Sequence, residues 1–277
     1  MLRVTVLGSG SQGNAILVDG SEGSVLVDAG FGLRRLARRF ARAGRHPEQV
    51  GALLLTHEHT DHACGAVGAS ARWGWPVHAV RETHEVLAEL PGGGPRYPVA
   101  MSFGRTHSVC GLEITVVPVP HDARACAAMV LTDQASGGRV GIAMDLGYVP
   151  AHLPTAFERC DLLVVESNHD ERMLAEGPYP WPLKQRVGGM LGHLSNGAAA
   201  AFLAGASHHG LRAVILAHLS QTNNTPVAAL TRTREALRRA GWRREGLWAA
   251  TQAVHVGPIT TDGAVQPARA AQLSLGL

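Results

Sequence analysis

The segment LLLTHEHTDH, residues 53–62, joins a short apolar run to three histidines and two acidic residues that follow it within six positions. The apolar run has the composition of a buried strand. Burying so many titratable groups would be costly without a counter-charge, and histidine is the side chain that most often binds metal ions. The segment therefore predicts a strand that ends at a metal site.

The spacing of these residues favours two divalent metal ions over one. His57 and His59 can reach one ion, and Asp61 and His62 can reach a neighbouring ion. Two ions about 3.5–4 Å apart hold both the attacking and the leaving oxygen of a hydrolysis reaction. Nitrogen and oxygen ligands of this kind suit zinc and manganese, which we expect, and also iron. We therefore predict a hydrolase with two divalent metal ions as cofactors.

The HxHxDH pattern after an apolar strand resembles the metallo-β-lactamase superfamily, and other landmarks of that family occur in the family's order along the chain. Asp28, after VLV, resembles the carboxylate that braces the metal-binding loop. His121 ends VPVPH, Asp145 ends AMD and His218 lies in LAHLS. The resemblance implies an α/β fold, an αββα sandwich with the site at one edge of its two sheets. The metal ligands that it implies are His57, His59, Asp61, His62, His121, Asp145 and His218.

Three more segments are similar to the YycJ (WalJ) branch of this family, bacterial proteins regarded as DNA exonucleases. They are LVVESNHD at residues 163–170, GHLSN at residues 192–196 and AHLSQTNN at residues 217–224. The resemblance covers residues 1 to about 257. It implies a nuclease that acts on nucleic acid, and on DNA rather than RNA.

The catalytic residues implied by the resemblance are Asp61, Glu166 and His193. Asp61 would hold a metal ion and orient or deprotonate the nucleophile. Glu166 and His193 resemble a pair in ribonuclease Z, where a glutamate orients a histidine that protonates the leaving oxygen. The long insert of the β-CASP nucleases is missing here, because only about 70 residues separate Asp145 from His218.

The expected reaction is hydrolysis of a phosphodiester by a hydroxide that two metal ions activate, as in a DNA exonuclease. A small-molecule phosphodiesterase or a thioester or lactone hydrolase is the alternative on the same site. A metal-stabilised regulatory protein would need the ligands but neither Glu166 nor His193. The formal net charge of +3 favours neither nucleic acid nor a small molecule as the substrate.

Short polar side chains near the landmarks suit phosphate oxygens. We expect Ser195, Asn196 and Asn223 to bind substrate, with Asn224 beside them. Helix capping is the alternative role, because Asn196 and Asn224 lie next to predicted helix starts. We expect the tryptophans Trp73, Trp75 and Trp181 to pack inside the protein instead of stacking on bases.

A glycine-rich segment, GSGSQG at residues 8–13, matches the GxGxxG pattern of dinucleotide-binding proteins. A second apolar strand follows it, whereas dinucleotide binding needs a helix at that place. We therefore interpret the segment as a tight turn between two strands.

The length of 277 residues and the 45% apolar content permit one large domain. We expect a hydrolase domain at residues 1–258 and a tail at residues 259–277. Apolar periodicity predicts helices at residues 31–43, 196–207 and 227–240, and the arginine-rich face of the first should be solvated.

The four cysteines are widely spaced and form no CxxC pair, which suits a reducing cytosol. The first residues lack the pattern of a signal peptide, and no apolar run approaches the length of a membrane span. We expect a cytoplasmic protein without membrane contact, and the oligomeric state is left open.

Overall fold

Two mixed β-sheets lie face to face in the structure, a computed structural model that describes residues 1–265, and each has seven strands within that range. From one edge to the other, the strands of the first sheet are β14 (Val256–Thr260), β1 (Arg3–Gly8), β2 (Ala15–Asp19), β3 (Ser24–Val27), β4 (Ala52–Leu54), β5 (Val77–Val80) and β6 (Pro98–Met101). Those of the second sheet are β13 (Leu247–Ala249), β12 (Ala213–Ala217), β11 (Leu162–Glu166), β10 (Arg139–Ala143), β9 (Cys126–Asp133), β8 (Leu112–Val119) and β7 (Thr106–Val109).

Helices lie along the chain between these strands, and some of them cover the outer faces of the sheets. In chain order the α-helices of the described residues are α1 (Leu33–Arg42), α2 (Thr60–Ala63), α3 (Ala66–Trp73), α4 (Arg81–Ala88), α5 (His152–Ala156), α6 (Glu171–Glu176), α7 (Trp181–Val187), α8 (Asn196–Ala206) and α9 (Pro226–Arg239). A 3-10 turn occupies Pro47–Gln49.

Three apolar clusters divide the core into layers. The central cluster joins the two sheets, with Ile16 from one sheet and Ile142 from the other. Phe40 of α1 belongs to a second cluster outside the first sheet, and Phe202 of α8 belongs to a third outside the second sheet. The inner strands β2, β3, β4, β11 and β12 are buried along their whole length because both faces of each sheet are covered. The predicted αββα sandwich is confirmed.

The helix predicted at residues 31–43 is α1, and it places its apolar side chains as expected. Leu36 and Phe40 are buried, whereas Arg34, Arg38 and Arg42 are exposed. This division follows the 3.6-residue period of an amphipathic helix. The arginine-rich face is therefore solvated, as predicted.

Apolar and β-branched runs predict strands at residues 3–7, 15–18, 24–27, 52–55, 77–80, 112–119, 127–132, 140–143, 162–165 and 213–216, and the structure has a strand at each of these places. The four other strands, β6, β7, β13 and β14, were not predicted from the sequence. β6 lies at a sheet edge and its first three residues are exposed, so it lacks the apolar run that marks the inner strands. β14 includes residues on both sides of the expected domain boundary and pairs with β1. The division into residues 1–258 and 259–277 stays a prediction, and residues 266–277 of the expected tail lie outside the described residues.

Parallel strands bring their carboxyl ends to one edge of each sheet. β3, β4 and β5 are parallel, as are β10, β11 and β12. β8 runs in the same direction as β10, because both pair antiparallel with β9. Ligands in α/β proteins bind where such ends meet. The residues that follow or end these strands include Asp28, His57, His121, Asp145, Glu166 and His218.

Within residues 1–265, none of the helices combines the length and the apolar character that crossing a membrane requires.

Candidate active site

Three residues at the strand ends have a left-handed backbone. The φ angles of Asp28, Asp145 and His218 are 62°, 52° and 52°. Non-glycine residues rarely adopt this conformation, which costs about 1–2 kcal/mol per residue. Strained backbone of this kind concentrates at functional sites, and here it occurs at three residues whose side chains meet in one cluster.

His57, His59 and His121 form the first group of candidate metal ligands, with ring nitrogens within 4.8 Å of one another. Nε2 of His121 lies 3.3 Å from Nδ1 of His59. The Nδ1 hydrogen of His121 points to the Gly192 carbonyl at 3.0 Å. That hydrogen bond selects the tautomer whose Nε2 lone pair is available for a metal ion.

The second group of candidate metal ligands is Asp61, His62, Asp145 and His218. Their ligand atoms also lie within 4.8 Å of one another. Nε2 of His62 lies 2.6 Å from Oδ2 of Asp145, and Nε2 of His218 lies 3.2 Å from Oδ2 of Asp61. Asp145 also lies 3.5 Å from Nε2 of His57. Its carboxylate therefore lies between the two groups, where it could bridge two ions.

The donor set fits the divalent ions that the sequence predicts. Nε2 of His57 is buried and has no hydrogen-bond partner among the described residues. Burial lowers the pKa of His57 well below its ordinary value, and the neighbouring His62 lowers it further. An uncharged imidazole with a free, buried lone pair is the form that binds a metal ion.

Asp28 lies behind the metal-ligand loop and accepts several of its hydrogen bonds. Its Oδ1 accepts from the Thr56 amide at 2.9 Å, and its Oδ2 accepts from Nδ1 of His62 at 2.7 Å. The Thr56 hydroxyl donates to the same carboxylate and accepts from Nδ1 of His57 at 3.0 Å. Thr56 and Asp28 thus orient both His57 and His62.

Glu166 and His193 form a hydrogen-bonded pair beside these groups. Nδ1 of His193 donates to Oε1 of the fully buried Glu166 at 2.7 Å. Burial lowers the pKa of His193, but the carboxylates of Glu166 and Asp145 outweigh burial and raise it to about 9. Because Nδ1 is engaged, Nε2 is the nitrogen available for proton transfer.

A cavity of about 260 Å³ opens over the candidate ligands. Its lining includes His59, Asp61, His121, Asp145, His193 and His218, together with Ser11, Asp122, Tyr179, Leu183, Arg186, Val187 and Gly192. The structure thus brings the predicted metal ligands and catalytic residues to one place. The roles of these residues stay predictions.

Of the three residues expected to bind phosphate, Ser195 and Asn196 have side-chain hydrogen-bond partners, whereas the side-chain amide of Asn223 has none among the described residues. Ser195 caps α8 by accepting from the Ala198 amide, and its hydroxyl donates to Glu171 at 2.6 Å. Asn196 and Asn223 are buried, and Asn196 bonds to Asn224. None of these side chains lines the cavity over the candidate ligands, and their assignment as substrate donors stays a prediction.

One tryptophan does not pack as expected. Trp75 is buried and packs against Phe40, and Trp73 lies beside Trp75. Trp181 is 68% exposed. The prediction for Trp181 was wrong because this residue opens α7, a helix in which no residue is buried.

Several residues of the site carry no motif of their own. The Asn14 side chain donates to Asp61 O at 3.3 Å and lies 3.0 Å from Nε2 of His62. The Ser9 hydroxyl accepts from the His218 amide at 2.8 Å. Both lie in the turn between β1 and β2, so that turn supports the site, and a strand follows it as predicted. The position of this turn directly after the first strand was the sequence feature from which its place at the site could have been predicted.

Residues 24–219 match the family described as "Beta-lactamase superfamily domain". This chain belongs to the beta-lactamase superfamily. Among curated members it is 31% identical over 242 residues to "Exodeoxyribonuclease YycJ" of Bacillus anthracis, with 87% of this chain and 91% of the relative covered. It is 30% identical over 225 residues to "Exodeoxyribonuclease WalJ" of Streptococcus pneumoniae, with 80% and 83% covered.

Solved structures of the metallo-β-lactamase fold superpose along most of this beta-lactamase superfamily chain. YhfI from Bacillus subtilis has a TM-score of 0.66 at 21% identity, covering 92% of this chain and 98% of its own. Zn(2+)-bound PqqB from Methylobacterium extorquens has a TM-score of 0.65 at 18% identity, covering 92% and 99%. These likenesses show the fold. The family match and the named relatives identify this superfamily member as a metal-dependent hydrolase.

Proposed function

We propose that this chain is a DNA exonuclease that hydrolyses phosphodiester bonds near a strand end. The observation that carries the proposal is the Glu166–His193 hydrogen bond at the edge of the candidate metal ligands. An alkoxide leaving group needs a proton, and a histidine aligned by a buried carboxylate can supply one. The names of the YycJ and WalJ relatives agree with this chemistry.

The cofactors of this proposal are two divalent ions, zinc or manganese. One group of ligands is His57, His59 and His121, the other is Asp61, His62 and His218, and Asp145 is shared. Bound there, divalent ions supply Lewis acidity to the phosphate and make water more acidic.

Asp61 orients the attacking water in the proposed reaction. Its carboxylate lines the cavity, is about a quarter exposed and lies 3.2 Å from Nε2 of His218. A carboxylate with one free oxygen facing the cavity accepts a hydrogen bond from water and restricts its direction of approach. Asp61 thereby acts on the nucleophile as well as on a metal ion.

His193, which also lines the cavity, protonates the leaving oxygen. Its Nδ1–H group remains hydrogen-bonded to Glu166, which sets the ring orientation. Its Nε2 hydrogen passes to the departing sugar oxygen. Glu166 also accepts from the Leu146 and Leu194 amides at 3.1 and 3.2 Å. These bonds fix the carboxylate and, through it, the histidine.

A digestion screen tests the proposed function. Metal-replete protein is incubated with end-labelled single- and double-stranded DNA and RNA, in parallel with a chromogenic phosphodiester, a thioester and a lactone. We expect stepwise shortening of DNA with zinc or manganese. Turnover of a small diester, thioester or lactone far above that of every polynucleotide would refute the exonuclease function and support the small-molecule hydrolase.

A further inference from the structure

One wall of the cavity is formed by a helix without core residues. No residue of α7 is buried, yet Leu183, Arg186 and Val187 line the cavity that holds the candidate ligands. The His193 amide donates to the Val187 carbonyl at 2.8 Å, and the Asp122 amide donates to the Leu191 carbonyl at 3.0 Å. The wall is thus attached by backbone bonds to the segments that carry His121 and His193, and its side chains are free to meet a ligand.

Arg186 is held in a defined position on this wall. Its Nε donates to Oδ2 of Asp122 at 2.6 Å, although its side chain is 65% exposed. One hydrogen of the guanidinium is engaged by Asp122, and the group has others to offer.

The guanidinium of Arg186 is paired with Asp122 at the cavity. Among the described residues that line it, Arg186 is the only arginine or lysine. A guanidinium has the planar geometry that binds phosphate with two parallel hydrogen bonds. Tyr179, Leu183 and Val187 offer apolar surface on the same wall. A cation flanked by apolar groups matches the chemistry of a nucleotide.

Asp122 separates Arg186 from the candidate metal ligands. While Oδ2 of Asp122 accepts from Arg186, Oδ1 lies 3.2 Å from Nε2 of His121 and 4.0 Å from Nε2 of His59. A phosphate undergoing hydrolysis would lie at the ligands. The guanidinium, beyond Asp122, is therefore placed for a different phosphate.

We propose that Arg186 binds the phosphate next to the scissile one and thereby selects a chain of nucleotides over an isolated phosphodiester. Asp122 is the positioning residue that holds the guanidinium. This inference rests on the proposed function, because it requires a substrate with consecutive phosphates. It assigns to Arg186 a role in specificity, and none in bond cleavage itself.

The test compares Arg186→Gln with the wild-type holoenzyme on two substrates. A dinucleoside monophosphate carries only the scissile phosphate, and a trinucleoside diphosphate carries one more. We expect kcat/KM for the trinucleoside to fall about 10- to 100-fold, the range for losing a hydrogen bond to a charged group. Turnover of the dinucleoside should be unchanged, as should the metal content.

Arg172→Gln is the matched control, because Arg172 is exposed on α6, pairs with Glu176 and does not line the cavity. It should leave both substrates unaffected. An equal loss on both substrates, no loss on either, or a loss of metal in Arg186→Gln would each overturn the inference while leaving the exonuclease in place. Wild-type protein that cleaves neither substrate nor longer DNA would instead refute the proposed function, and this inference with it.

Discussion

His193 and His218 both direct Nδ1 to Oε1 of Glu166, at 2.7 and 2.9 Å, and the two rings differ in exposure. The His193 ring is about one-fifth exposed at the cavity, whereas His218, His57 and His62 are buried. His193 also belongs to a third group of side chains whose ligand atoms are close enough together to hold a metal ion, with Asp145, Glu166 and His218. The distinction between an acid and a ligand can therefore be made by measuring metal content.

His193→Ala should lower kcat about 10²- to 10⁴-fold, the usual contribution of a general acid, because the leaving oxygen loses its proton donor. Metal content should stay close to two ions per chain, as measured by elemental analysis of the replete protein. His46→Ala, at an exposed histidine outside the cavity, is the control and should change neither quantity. Loss of metal from His193→Ala would show that this histidine is a ligand.

Asp133 contributes to stability far from the site. Its carboxylate is buried and accepts hydrogen bonds from the Ser136 hydroxyl and from the amide and hydroxyl of Ser21. Burial raises the pKa of Asp133, but these hydrogen bonds outweigh burial and lower it well below the ordinary value. The ionised form is therefore the one that stabilises the fold.

Asp133→Asn should reduce the free energy of unfolding by about 1.5–3 kcal/mol at neutral pH, the scale of hydrogen bonds to a charged group. A carboxyl whose pKa is lowered by folding stabilises fully above its unfolded pKa of about 3.9, and this contribution is lost as pH falls through the lower, folded pKa. The difference from wild type in urea unfolding should therefore shrink at acid pH. Glu89→Gln, at an exposed position, should show no such convergence. A difference that is constant with pH would contradict this role.

At the scale of elements, the loop after β4 depends on a close backbone contact with the loop after β3. A Cβ atom on Gly30 would lie 1.7 Å from the Asp61 carbonyl oxygen and 2.6 Å from the Asn14 amide nitrogen. The same place holds the hydrogen bonds from the Asn14 amide to Asp61 O at 2.8 Å and from the Gly30 amide to Asn14 O at 2.9 Å. Glycine is needed here because the two loops touch through backbone.

Gly30→Ala should therefore displace the loop that carries Asp61 and His62. We expect unfolding to become easier by about 1–3 kcal/mol, the cost of overpacking, together with weaker metal binding measured by competition with a chelator. Gly205→Ala on α8 has open space around its Cβ and should be neutral or stabilising by up to about 1 kcal/mol. Unchanged metal affinity in Gly30→Ala would show that the loop contact does not position the ligands.

At the scale of the whole molecule, the low net charge of +3 leaves any electrostatic attraction to DNA to local groups. α1 presents Arg34, Arg35, Arg38 and Arg42 to solvent, and Arg186 lines the cavity. Each phosphate of duplex DNA that is neutralised by a protein cation lowers log affinity by about 0.9 per unit of log salt concentration. The slope of log affinity against log salt concentration therefore gives the number of phosphates that the protein contacts.

Cleavage of a labelled DNA end should weaken steeply between low and moderate salt, because a polynucleotide contacts several cations at once. Hydrolysis of a chromogenic phosphodiester by the same preparation is the internal control and should change little. Both rates are measured across one salt series at substrate concentrations below KM. Salt-insensitive DNA cleavage would mean that few phosphates beyond the scissile one are contacted.

Local sequence was sufficient to predict the inner strands, and the family resemblance of its motifs implied the αββα sandwich and the residues that meet at the strand ends. β3, β5 and β8 have the predicted bounds because each carries a run of mostly apolar residues, fully buried in β3 and exposed at Glu113 and Pro118 in β8. The edge strands β6 and β7 escaped prediction, since an exposed strand has no such run. The HxHxDH segment was informative because its titratable residues are adjacent in the chain.

Tertiary structure alone decided which side chains around the candidate site are buried and which are exposed. Asn196 and Asn223 follow family landmarks in the chain but are buried, whereas Trp181 and Arg186, on a helix that packs no residue into the core, are exposed. The pairing of Arg186 with Asp122 joins residues 64 positions apart. The apolar periodicity of a sequence predicts which face of a strand or helix is buried, because the buried face carries the apolar residues. The same periodicity does not predict which loops meet at the open edge of the sheets. That meeting depends on the order of the strands and on the connections between them.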